Sequence, residues 1–147
     1  MNQFVVPVPL KVWQDPQGDV VLNHSRDQCS VSFACWEAAG DPADYLCRLI
    51  FNRAWAVRGV RSEFLPYEYK AHHRSCIYEV VESEWLERET ELRSQSYPEW
   101  RSWEGKQYHH YVVQGHDNFV EVIALGFEEQ IVPISQAGEL IRLIDEA

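Results

Sequence analysis

The chain has 147 residues, 46% hydrophobic and 24% charged, with six Trp, seven Tyr, six Phe and a formal net charge of −10. That balance fits a single soluble globular domain over residues 1–147 rather than a low-complexity or disordered chain. The acidic field opposes phosphate binding and so argues against nucleic acid, and no apolar run reaches the ~20 residues that span a bilayer.

Pro7, Pro9 and Lys11 interrupt the early valine run, so no basic-then-apolar leader is read there and a cytoplasmic protein is expected. Basic residues are not spread evenly. Residues 48–74 hold Arg48, Arg53, Arg58, Arg61, Lys70 and Arg74 against only Glu63 and Glu68.

Residues 4–13 read as an extended segment with Phe4, Val6, Val8, Leu10 and Val12 on one face. Pro7 and Pro9 remove N–H groups from one side, which marks a sheet-edge strand. Asp15-Pro16-Gln17-Gly18 is a turn, and Asp19–Leu22 returns as a second strand. Gln28–Trp36 follows with Cys29, Val31, Phe33 and Cys35 facing in and Ser30 and Ser32 facing out. None of Cys29, Cys35, Cys47 and Cys76 forms a CxxC pair, and all four are read as reduced, mostly buried small hydrophobes.

Asp41 as cap, Pro42 at the first helical position and Gly59 as stop predict a helix, with Leu46, Leu49, Ile50, Ala54 and Val57 as its stripe. Arg53 falls inside that stripe. It either snorkels to the surface or pairs with a carboxylate or ligand anion, because an unpaired buried charge is too costly. Residues 60–70 carry Phe64, Tyr67 and Tyr69 without clear periodicity. A strand at about Arg74–Val81 leads to a second helix capped by Ser83, whose thin apolar stripe is chiefly Trp85 and Leu92. Glu84–Arg88 and Glu89–Arg93 are spaced to pair along it. Trp100 and Trp103, with Tyr97 and Tyr108, form an aromatic run before the next strand. Such rings serve as a sugar platform or interface anchor, or they seal the sheet.

Residues 108–124 read as a β-hairpin around Gly115-His116-Asp117-Asn118. Alternation puts Tyr111, Val113, Val120, Val122 and Ala124 on a core face and His110, Val112, Gln114, Glu121, Ile123 and Leu125 on the other. The second face mixes aliphatic with polar groups, so His110, Gln114 and Glu121 form the candidate site. Replacing His110 or Glu121 is expected to leave the fold intact. Pro133 and Ser135 open a last helix carrying Ala137, Leu140, Ile141 and Ile144.

The order βββ-α-β-α-ββ-α implies an α+β fold: a mostly antiparallel sheet of about five to six strands with two or three helices on one face. No GxGxxG or GxxxxGK[ST] follows a strand, and His109, His110, His116 and Asp117 lack metal-site spacing, so no cofactor or metal is expected. His72-His73-Arg74-Ser75-Cys76 permits an activated thiol, but a buried structural cysteine fits Cys76 better. Absent a catalytic pattern, the chain reads as a protein-interaction module, either an acidic regulator or neutraliser of a partner protein or a homo-oligomer. The alternative is a small enzyme or ligand-binding protein with a pocket on the His110/Gln114/Glu121 face. The candidate surface is His110, Gln114, His116, Asp117, Glu121, Arg53, Trp100 and Trp103, with no nucleic-acid or membrane partner.

Overall fold

A computed structural model describes residues 3–26, 28–37, 40–71 and 76–138, with the Cys76 side chain outside the description. Eleven strands and three helices follow in chain order: β1 (Phe4–Pro9), β2 (Trp13–Gln14), β3 (Val21–His24), β4 (Cys29–Trp36), β5 (Pro42–Asn52), β6 (Ala56–Val60), β7 (Glu68–Tyr69), β8 (Cys76–Val81), α1 (Glu84–Ser96), α2 (Trp100–Trp103), β9 (His109–Gln114), β10 (Phe119–Ala124), β11 (Gly126–Pro133) and α3 (Ile134–Ala137). The class is α+β, as the sequence implies. The single sheet becomes two: six strands ordered β6-β10-β9-β8-β1-β7, and five in which β11-β5-β4-β2 run in order and β3 also pairs β4. All pairings are antiparallel except β1 with β7.

The main core lies between the sheets. Cys29, Val31, Phe33, Cys35, Cys47, Leu49 and Phe51 from one meet Ile77, Tyr111, Val113, Val120, Val122 and Ala124 from the other. Phe51 packs its ring 5.7 Å from Tyr111 and 5.8 Å from Phe127. Cys29, Cys35 and Cys47 are free thiols, and burial pushes the Cys29 and Cys35 pKa values up to about 11 and 12.

The predicted helix over 42–59 is replaced by β5 and β6. The same residues carry a period of two: Ala43, Cys47, Leu49 and Phe51 face the inter-sheet core, while Leu46 on the opposite face packs with Ala137. Pro42 opens a strand as readily as a helix, since neither position needs its N–H. Tertiary burial of both faces decided between two periods that the segment satisfies equally. Arg53 therefore sits not in a helical stripe but in the turn between β5 and β6, with φ at 51°.

β1 is the second strand, not the edge. Its Phe4 and Val5 pair with β7, Lys70 N–H donates to the Val5 carbonyl at 3.2 Å, and the described pairing stops before Pro7. The turn at Asp15–Gly18 forms as expected, with Asp15 Oδ1 accepting from Gln17 N–H at 2.9 Å. Ser83 caps α1 through a 3.0 Å bond from Leu86 N–H, and Trp85 is buried whereas Leu92 is 50% exposed. The helices do not share one sheet: Trp85 of α1 packs on the outer face of the six-stranded sheet, and α3 packs on β5 and β11. Leu140, Ile141 and Ile144, like His72, His73 and Arg74, lie outside the described residues. No described helix is long and apolar enough to cross a membrane.

Candidate functional site

The hairpin register is the expected one, pairing Val120 with Val113, Glu121 with Val112, Val122 with Tyr111 and Ile123 with His110. Its second face, however, is covered. His110 and Glu121 are 0% and 1% exposed, beneath Trp85 of α1, Tyr67 from the 60–70 segment and Arg58 of β6. They form a buried network rather than a polar platform, which corrects the expectation that they can be replaced without cost to the fold.

Glu121 accepts three hydrogen bonds: Arg58 Nε–H donates to Oε2 at 2.6 Å, His110 Nε2 lies 2.8 Å from Oε1, and the Tyr67 hydroxyl donates to Oε1. Burial pushes the Glu121 carboxyl up, but the bonds from His110, Arg58 and Tyr67 outweigh it and bring the pKa down to about 2. An ionised carboxylate only accepts, so Nε2 of His110 carries hydrogen. In the neutral ring Nδ1 is then the acceptor, and it lies 2.6 Å from Ser83 Oγ. Arg58 also stacks 4.0 Å over Trp85. The line Ser83–His110–Glu121 thus joins the start of α1 to the centre of the hairpin.

Gln114 is a tie between segments. Its side-chain oxygen accepts from the Tyr69 hydroxyl at 3.2 Å, and its carbonyl accepts from Gln14 Nε2 at 2.6 Å. His116 and Asp117 sit in the turn, where His116 N–H donates to Gly18 O at 3.0 Å and Asp117 N–H to Asp19 Oδ1 at 2.7 Å. Asn118 accepts from Val20 N–H and donates to Val20 O. A Cβ on Gly115 would lie 2.5 Å from Asn118 Oδ1 and 2.8 Å from Val20 N, so only glycine lets the turn dock on the 15–20 loop. The His116 and Asp117 side chains point to solvent 3.0 Å apart, and Asp117 raises the imidazole pKa above its ordinary value. No three His, Cys, Asp or Glu side chains among the described residues are grouped to hold a metal ion.

A second buried carboxylate, unread in the sequence, organises the aromatic run. Glu104 accepts from Arg93 Nη2 at 2.6 Å and from the Tyr108 hydroxyl at 2.7 Å, with Arg53 Nη2 3.7 Å away. The Tyr108 bond, ahead of Arg93, holds its carboxyl below the usual range despite desolvation. The Arg93 guanidinium carbon lies 4.5, 5.0 and 5.5 Å from the ring centres of Trp100, Trp55 and Trp103. Trp100 is buried, with its ring 6.4 Å from that of Trp55 and its indole N–H donating to Ser94 Oγ at 2.9 Å, while Trp103 and Tyr97 are each 62% exposed and meet edge to face at 6.3 Å. Arg53 is also 62% exposed, so its charge reaches water.

Beside the exposed pair a groove of about 540 Å³ is lined by Arg53, Trp55, Leu92, Arg93, Tyr97 and Tyr108, among others. A cavity of about 350 Å³ next to the Glu121 network is lined by Gln3, Arg58, Tyr67, Glu84, Trp85 and Arg88. Of the sequence candidates, His110 and Glu121 touch each other in the buried network, and His116 touches its neighbour Asp117 in the turn. Arg53 and Trp100 meet around Glu104 and Arg93, and His116 with Asp117 stands apart at the turn. Arg58 was not legible as a partner: the sequence placed it in the helix expected to stop at Gly59, whereas it lies directly across from Glu121 on β6. No family model matches the chain, and neither a curated protein nor a solved structure shows significant similarity to it.

Proposed function

We propose that the chain is a protein-interaction module that presents Leu92, Tyr97 and Trp103 to a partner protein of basic character, with a second copy of the chain as the other candidate occupant. The observation that carries this reading is the exposure of Tyr97 and Trp103 on a base that Arg93 and Glu104 hold fixed. Exposed aromatics normally lose rotamer freedom on binding. Here a neighbouring ring and an anchored guanidinium already restrict them, which lowers the ordering cost of association. Trp, Tyr and Arg are also the side chains that dominate interface energies.

Glu89 lines the groove beside this ledge, and the net charge of −10 favours a basic partner by steering. The sealing of His110 and Glu121 beneath Trp85 and Tyr67 weighs against the alternative of a ligand pocket opened directly onto that face. A cytoplasmic location belongs to the same reading and is supported by the free thiols of Cys29, Cys35 and Cys47.

The test is capture from an extract of the source organism on immobilised wild type and on the Tyr97→Ala/Trp103→Ala variant. Calorimetric titration of the purified captured protein follows. Loss of about 2 kcal/mol or more of binding energy in the variant is expected, with affinity falling as salt rises. Equal affinity for both proteins would overturn the reading.

A further inference from the structure

β8 ends at Val81, Glu82 turns the chain with φ at 59°, and Ser83 opens α1. A positive φ at glutamate is a conformation that persists only where its surroundings enforce it, and such outliers gather at functional sites. The path from strand through a strained turn to a helix is one that presents a serine hydroxyl beyond a strand end. Here that hydroxyl meets His110 Nδ1 at 2.6 Å, and Glu121 fixes the opposite ring nitrogen at 2.8 Å.

We propose that Ser83 is a nucleophile toward small carboxylic esters with an anionic acyl group, with His110 as its base and Glu121 as the orienting carboxylate. This site is separate from the aromatic ledge and does not depend on it. Nucleophile, base and orienting group lie in hydrogen-bond sequence, as activation of a hydroxyl requires. The N–H of the residue after the serine, Glu84, already binds an oxygen: it donates to Gln3 Oε1 at 2.8 Å. An ester carbonyl oxygen placed there would be polarised by that N–H, with the exposed Gln3 amide oxygen standing in for it. The adjoining cavity of about 350 Å³ is walled by Glu84 and Trp85, the two residues that follow Ser83, and carries two guanidiniums, Arg58 and Arg88. Glu84 is its one acidic side chain. Arg58 is already paired with Glu121 at 2.6 Å, so Arg88, which forms no ion pair among the described residues, is the guanidinium left to meet an anionic acyl group.

The Ser83 Oγ–carbon bond forms as the hydroxyl proton passes to His110 Nδ1, and the carbonyl oxygen takes negative charge at the Glu84 N–H. The bond from that carbon to the alcohol oxygen then breaks, and His110 returns the proton to the leaving alcohol. Water repeats the sequence on the acyl-serine, releasing a carboxylic acid and restoring Ser83. Glu121 stays ionised throughout, accepting from Nε2–H. Leu86 N–H, which donates to Oγ at 3.0 Å, favours the developing oxyanion on the serine.

The full chain is treated with a fluorophosphonate probe, and the labelled residue is located by peptide mass spectrometry. Hydrolysis of the p-nitrophenyl half-ester of succinate is then compared with that of p-nitrophenyl acetate. Ser83→Asn is the control, because asparagine keeps the helix cap without a nucleophile. Phosphonylation of Ser83 is expected, with half-ester hydrolysis on the order of 100-fold above Ser83→Asn and faster still in Gln3→Ala. No label on Ser83 in the folded wild type, or hydrolysis unchanged by Ser83→Asn, would overturn the proposal. A rate on the neutral acetate equal to that on the half-ester would overturn the anionic-acyl assignment.

Discussion

Glu121 and Glu104 are both buried carboxylates, each served by an arginine and a tyrosine, with that arginine stacked on tryptophan. They differ in where the partners come from. Around Glu121 they arrive from β6, the 60–70 segment, β9 and, through Ser83, the start of α1, with Arg58 and Tyr67 separated from it by 63 and 54 residues. Around Glu104 the two hydrogen-bond donors, Arg93 and Tyr108, are only 11 and 4 residues away. Similar chemistry thus does two jobs. The first cluster locks distant elements into one arrangement, and the second stiffens one corner that carries exposed rings. Loss of a long-range lock removes interactions on which several elements depend, whereas loss of a local one loosens only its neighbourhood.

The sharpest way to break this comparison is to delete each carboxylate. Glu121→Ala leaves His110 and Tyr67 donors buried without an acceptor, so chemical denaturation should show a loss of about 3–5 kcal/mol. Glu104→Ala should lose less, because Arg53 already reaches water. The reverse order would contradict the assignment of roles.

Acid provides the next largest effect. Folding lowers the Glu121 pKa from its ordinary 4.5 to about 2, so its contribution is full above about pH 4.5 and disappears as pH falls toward 2. Over that window about 3 kcal/mol should be lost. Glu104, also lowered, acts in the same direction. Denaturant titrations at stepped pH should therefore show a shallower acid loss in Glu121→Gln than in wild type.

Arg93→Ala sharpens the contrast by location. Hydrogen exchange should quicken across residues 97–108 while the amides of β9 and β10 stay protected. Even protection loss across both regions would mean that the second cluster is not local. Arg53→Ala should be the mildest change, within about 0.5 kcal/mol on denaturation, because its ion pair is largely solvated.

The hairpin was legible because both of its strands alternate β-branched residues around a Gly-containing turn, and α1 because Ser83 is a good cap. The segment 42–59 was misread because Leu46, Leu49 and Ile50 satisfy both a helical stripe and a strand buried on two faces, and Asp41-Pro42 imitates a helix start. His110 and Glu121 were correctly placed on one face, but their burial was hidden. It depends on Arg58 and Tyr67, whose strand and loop carried no local signal linking them to the hairpin. Arg93 has a plausible helical partner in Glu89, and the sequence offers no means of preferring Glu104.

The division of labour between the clusters is tested most directly by Tyr97→Ala/Trp103→Ala, measured for both unfolding free energy and binding to the captured partner. The account predicts unfolding close to wild type, within about 1 kcal/mol, with binding lost. A folded variant that binds as wild type does, or one destabilised as severely as Glu121→Ala, would contradict it.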